Sequence, residues 1–129
     1  MDYGTTVRTD LPFDEAVSRT RAALAEQGFG VLTEIDVQAT MLAKLGEQME
    51  HYLILGACNP QLAHQALAIE RDLGLLLPCN VVVRSDGDQT LVQALDPQVM
   101  VTLPGNPALQ SVADDAGARL AAALATLTP

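Results

Sequence analysis

Tyr52-Leu53-Ile54-Leu55-Gly56-Ala57-Cys58-Asn59-Pro60 is the stretch on which the reading of this chain turns. The run from Tyr52 to Ala57 is almost continuously apolar and too short for a capped helix, so it predicts a central strand buried on both faces. Asn59 then offers a side-chain oxygen as N-cap, and Pro60 has the fixed φ that suits the first helical position. Leu62, Ala66, Ile69 and Leu73 follow at spacings of four, three and four, and Gly74 marks the end of that helical face. Cys58 therefore falls at a strand-to-helix corner.

Upstream, Tyr3 to Arg8 holds Thr5, Thr6 and Val7 and predicts a first strand, broken by Asp10-Leu11-Pro12. Phe13, Val17, Thr20 and Leu24 line one face of a helix that Pro12 opens and Gly28 closes. From Gly30 to Val37, Val31, Thr33, Ile35 and Val37 alternate with Leu32, Glu34 and Asp36, the period-two pattern of a strand with one wetter face. Asp36 is placed to cap a short helix that ends near Gly46.

Downstream, Leu77-Pro78-Cys79-Asn80 partly echoes the first Cys-Asn corner and leads into Val81-Val82-Val83-Arg84. Asp86-Gly87 turns this strand into Thr90 to Leu95, the clearest hairpin in the chain. Asp96-Pro97 breaks it, and Val99 to Leu103 reads either as a helical turn or as a short extended piece. Asn106-Pro107 repeats the cap-and-proline device before a last helix carrying Leu109, Val112, Ala116, Leu120, Leu124 and Leu127 on one face. The order β, α, β, short α, β, α, β, β, α, with no linker or repeat, predicts one α+β domain over residues 1–129: a mainly antiparallel sheet with helices packed over it.

Composition narrows the function. The chain of 129 residues is 49% hydrophobic but only 3% aromatic, so its core is aliphatic. Seven basic against sixteen acidic residues give a net charge of −9, which repels phosphate backbones and anionic headgroups and speaks against nucleic acid or membrane as partner. Met1-Asp2-Tyr3-Gly4 lacks the features of a signal peptide, and no apolar run reaches membrane-spanning length. A soluble cytoplasmic protein with reduced thiols is expected.

Gly56-Ala57-Cys58-Asn59-Pro60, Leu76-Leu77-Pro78-Cys79-Asn80-Val81 and Asp96-Pro97, with Gly28-Phe29-Gly30-Val31-Leu32-Thr33-Glu34-Ile35-Asp36, resemble the bacterial family called domain of unknown function three hundred and two. The resemblance spans nearly the whole chain. It implies a small α+β domain with the topology of half of a TATA-binding protein, associating as a homodimer and without an established activity. DNA binding does not follow from that topology, because fold does not imply function and the charge here is of the wrong sign.

The residues themselves offer one candidate site. Both cysteines precede an asparagine at a boundary between elements, so Cys58, Asn59, Cys79 and Asn80 are the candidate ligand-binding residues, for a small molecule or for thiol chemistry. A thiol just before a helix N-terminus is favoured toward thiolate. The competing reading makes both cysteines small buried hydrophobes and the domain a non-catalytic dimerisation or interaction module. No metal site is expected: the 20 residues between the cysteines lack C-x-x-C spacing, and His51 and His64 read as surface histidines. Glu34 and Asp36 on one strand face suggest a paired-carboxylate site, but a solvated face plus a helix cap explains them as well. The arginines are dispersed. Leu75-Leu76-Leu77, apolar and outside any regular element, is either core or a dimer surface. No cofactor and no reaction are assigned.

Overall fold

The computed structural model describes residues 2–128. Five strands, β1 (Gly4–Thr9), β2 (Gly30–Asp36), β3 (Tyr52–Cys58), β4 (Cys79–Asp86) and β5 (Gln89–Leu95), form one open sheet in the order β1-β5-β4-β3-β2, with every neighbouring pair antiparallel. The helices are α1 (Phe13–Glu26), α2 (Val37–Leu45), α3 (Pro60–Ile69), α4 (Val99–Thr102) and α5 (Gln110–Ala125). The α+β expectation holds, with helices on one side of the sheet.

Alternation decides which strand residues meet those helices. Leu53, Leu55 and Ala57 of β3, Val81 and Val83 of β4, and Val92 and Ala94 of β5 pack with Ala16 and Leu24 of α1 and Leu120 and Leu124 of α5. Burial of each large side chain in this core contributes about 1.5–3 kcal/mol. The intervening residues Tyr52, Ile54, Val82 and Gln93 are only half-buried on the opposite face. This corrects the expectation that β3 is buried on both faces: Tyr52, Ile54 and Cys58 stay half-buried, because α1 and α5, which share the core with Leu53, Leu55 and Ala57, lie on the other side of the sheet.

A second, smaller cluster of Leu62, Ala66, Leu73, Met100, Leu109, Val112 and Ala116 joins α3, α4 and α5 beyond the end of the sheet. The helical face expected to run from Leu62 to Leu73 is divided here. Helix α3 ends at Ile69, and Arg71–Leu76 forms a 3-10 turn that carries Leu73 into the cluster, while Ile69 stays exposed. Val99–Thr102 resolves as a helical turn, which buries Met100.

The predicted caps are made. Asn59 accepts from Leu62 N at 3.3 Å and Asp36 from Ala39 N at 2.9 Å, while Asn106, expected to cap the last helix, accepts from Ala108 N at 3.1 Å as the cap of a 3-10 turn, Pro107–Leu109, that precedes α5. One expectation about β2 fails. A bulge between Val31 and Thr33 leaves Leu32 unpaired and exposed, so Val31 faces Ala57 while Thr33 and Ile35 face Gly56 and Ile54 on the other side. The extra residue shifts the alternation, and Val31 no longer shares a face with Thr33 and Ile35.

Candidate functional site

The two Cys-Asn corners meet through strand register. β3 and β4 run antiparallel with Ala57 opposite Cys79 and Gly56 opposite Asn80, so the end of one strand lies beside the start of the other. Gly56 is the close-approach point of this corner: a Cβ there would lie 2.1 Å from Thr33 Oγ1 and 2.8 Å from Pro78 Cγ. Glycine lets the Pro78 ring and Thr33 close over β3.

Between this corner, α3 and α5 is a cavity of about 30 Å³, at the seam of the two hydrophobic clusters. Cys58 and Cys79 both border it, together with Phe29, Leu62, Ala66 and Met100. Asn59 borders it as well, but both ends of its amide are engaged: Oδ1 caps α3, and Nδ2 donates to the Gln27 carbonyl at 3.4 Å. Asn80 does not border it. Strand alternation places Asn80 on the exposed face of the sheet, in a separate groove with Tyr3, Tyr52, Val82 and Leu95. Three of the four candidate residues thus come together and the fourth is turned away.

Both cysteines are free thiols. Cys79 is buried, and loss of hydration followed by the neighbouring Cys58 pushes its pKa up to about 11. Cys58 is half-buried, and burial also pushes its thiol up. That direction is opposite to the one expected of a helix N-terminus. Asn59 already occupies the cap and its carbonyl takes the Ala63 N–H, so desolvation is the larger influence. Burial thus favours the protonated thiol at both positions.

The other candidates disperse. Glu34 is paired with Arg21, and Asp36 is spent on its cap, both on exposed surface, so the paired-carboxylate site is absent. His64 is exposed, and His51 stacks on Phe13 with ring centroids 4.7 Å apart. Arg8, Arg19 and Arg119 each pair with a carboxylate on the surface, which leaves no anion clamp among them. Among the described residues no group of three His, Cys, Asp or Glu side chains converges as metal ligands. Nor is any helix among them long and apolar enough to cross a membrane. Leu75-Leu76-Leu77 divides: Leu76 and Leu77 pack on the smaller cluster, whereas Leu75 is 90% exposed. Met100 was not a candidate because it lies in the segment whose sequence leaves helix and strand undecided; only the fold carries it to the cavity.

An open five-stranded antiparallel sheet with helices on one side, and a small cavity bordered by Cys58, Cys79 and Met100 at the β3–α3 corner, define the class: a small α+β domain. Residues 5–127 match the family described as Domain of unknown function DUF302, and the chain belongs to that family. It is similar to the crystal structure of an uncharacterized conserved DUF302 protein from Bacillus stearothermophilus. The two are 31% identical with a TM-score of 0.92, over 98% of this chain and 99% of that one. No curated protein matches.

Proposed function

We propose that this domain is a self-associating, non-catalytic module in which the stretch from Leu32 to Leu45 of one copy is covered by a second copy. The observation that carries this reading is α2, a nine-residue helix with no buried residue. A helix of that length is marginal in water and draws its stability from packing an apolar face. Here the apolar residues stand open: Leu32 and Leu45 are each 67% exposed, Leu42 is 53% exposed, and Ile35 and Met41 accompany them. They lie on and beside β2, an edge strand with an unpaired side.

Charge favours a like partner at this place. Two copies of net charge −9 repel one another over most of their surface, but Val37–Leu45 holds no acidic residue and one lysine, Lys44. A homodimer through this stretch removes Leu32, Ile35, Met41, Leu42 and Leu45 from water, with Glu34 paired to Arg21 and Asp36 engaged in its cap beside them. Two free thiols suit a reducing, cytoplasmic setting for it.

Sedimentation of the purified chain tests the reading. A dimer in the micromolar range is expected, converted to monomer by Leu42→Lys with Leu45→Lys while the circular dichroism stays unchanged. A wild-type monomer throughout that range, or a double variant that remains dimeric, overturns it.

The shared cavity favours a second reading, in which Cys58, Asn59 and Cys79 border a site for a small ligand or for thiol chemistry. Cys58 stands at its rim and Cys79 in its wall. Alkylation with mass mapping tests this. Labelling of Cys58 in the folded protein, well ahead of Cys79, supports an approachable site; unfolding-limited labelling of both removes it.

A further inference from the structure

The sheet face opposite the core differs in charge from the rest of the molecule. Register fixes its members: Arg8 of β1, Leu91 of β5, Arg84 of β4 and Tyr52 of β3 form one row across the sheet, and Thr6, Gln93, Val82 and Ile54 form the next. The bulge in β2 turns Thr33 and Ile35 to this face and leaves Glu34 and Asp36 on the other, where Glu34 meets Arg21 of α1. The charged strand residues of the open face are therefore Arg8, Arg84 and Asp86, in a chain with sixteen acidic residues and seven basic ones. Arg8 pairs with Asp86 at 2.8 Å, and Arg84 forms no ion pair among the described residues.

Arg84 is also held in place. Its Nε donates to Gln93 Oε1 at 3.1 Å, and Gln93 Nε2 donates to Thr6 Oγ1 at 3.1 Å, so the amide is tied at both ends and orients the guanidinium. With Nε engaged, the Nη1 and Nη2 edge is left for a planar acceptor, the fork that matches a carboxylate. Gln93 and Tyr52, the register partner of Arg84, both border a groove of about 300 Å³ on this face, with Tyr3, Asn80, Val82 and Leu95. Both tyrosines of the sequence stand in it. Residue 3 is anchored there, because Asp96 N donates to the Tyr3 carbonyl at 2.8 Å. Asn80, exposed, lies two positions beyond Val82 on the same strand face, away from Arg84.

We propose that this groove binds an aromatic monocarboxylate, its ring between Tyr3 and Tyr52 over Val82 and Leu95 and its carboxylate on the free edge of the Arg84 guanidinium. Each part of the ligand answers a part of the groove. Tyrosine rings above aliphatic side chains bury a flat apolar body and favour offset or edge-to-face contact with another ring. One unpaired guanidinium balances one negative charge; a phosphate dianion calls for a second cation, and Arg8 is already committed to Asp86. The volume suits a single ring, since small-molecule sites begin at about 300 Å³. A polar substituent across the ring from the carboxylate points toward the Asn80 amide. None of the bordering residues belongs to β2 or α2, so the site is separate from the association surface proposed above.

The test is a titration of the isotope-labelled full chain with para-hydroxybenzoate, read by backbone amide chemical shifts, with sedimentation of the same samples. Saturable shifts centred on Asn80 to Arg84 and Gln93 to Leu95 are expected, at an unchanged oligomeric state. Arg84→Gln should weaken binding by about tenfold or more, and Arg84→Lys, which keeps the charge but loses the fork, by less. Circular dichroism confirms that each variant is folded. para-Hydroxybenzyl alcohol, which lacks the carboxylate, should bind the wild type about tenfold more weakly than the acid does and should not distinguish it from Arg84→Gln. The absence of saturable shifts in these strands, equal affinity for acid and alcohol, or wild-type affinity in Arg84→Gln overturns the proposal. So does displacement of the probe by equimolar inorganic phosphate, which marks a general anion patch. Binding only after dissociation of a dimer gives this face to a second copy and overturns it as well.

Discussion

Ala57 and Cys79 are register partners across β3 and β4, and that single pairing brings a buried thiol to the N-terminal end of α3. It turns a sequence echo, two Cys-Asn pairs offset by 21 positions, into one structural corner.

The Cys79 thiol gives a pH signature. Its folded pKa is raised to about 11 from an ordinary value of 9.0, so folded and unfolded chains both hold the proton below pH 9 and its stabilising effect is complete there. Between about 9 and 11 the unfolded chain ionises first, and stability falls by at most about 2–3 kcal/mol. Urea denaturation across that range should show this decline, flattened in Cys79→Ala; an equally steep fall in the variant would place its cause elsewhere.

Gly56→Ala should be costly. The added methyl meets Thr33 Oγ1, which can rotate away, and the Pro78 ring, which cannot. A loss of about 1–3 kcal/mol is expected from overpacking, and chemical denaturation measures it. Adding Thr33→Ala, which removes the oxygen that the methyl meets, should recover only part of the loss, since the Pro78 ring remains in place.

At the α3 corner, Asn59→Ala removes both the cap to Leu62 N and the bond to the Gln27 carbonyl. A loss of about 1 kcal/mol is expected. Asn59→Asp keeps the cap acceptor but places a carboxylate oxygen against that carbonyl, so it should fall between the alanine variant and the wild type in thermal denaturation.

Leu73 and Leu75, two residues apart on the same 3-10 turn, should behave oppositely. Leu73 is buried in the smaller cluster and Leu75 lies in solvent. Leu73→Ala should cost about 2–5 kcal/mol and Leu75→Ala less than about 0.5 kcal/mol. A large loss in the Leu75 variant at micromolar concentration, vanishing on dilution, would mark Leu75 as a partner contact.

The sequence by itself determined most of the elements, though not every end: α3 stops at Ile69 instead of near Gly74, and the residues from Val99 to Leu103 fit either helix or strand. Periodicity in Phe13 to Leu24, the apolar run Tyr52 to Ala57 and the Asn59-Pro60 and Asn106-Pro107 starts are local properties, set by side-chain spacing and by which backbone donors a nearby oxygen can reach. It also marked Cys58 and Cys79 as the residues to watch. The tertiary structure alone decided the faces. One extra residue at Leu32 reversed the alternation of β2, and covering the sheet on one side put Cys79 against the cavity and Asn80 in the open. The physical reason is that a strand's two faces differ only in what packs on them, and that is settled by the helices of distant segments. For the same reason the sulfur of Met100, in a segment without a clear period, became part of the Cys58–Cys79 corner only when α4 folded against α3 and α5.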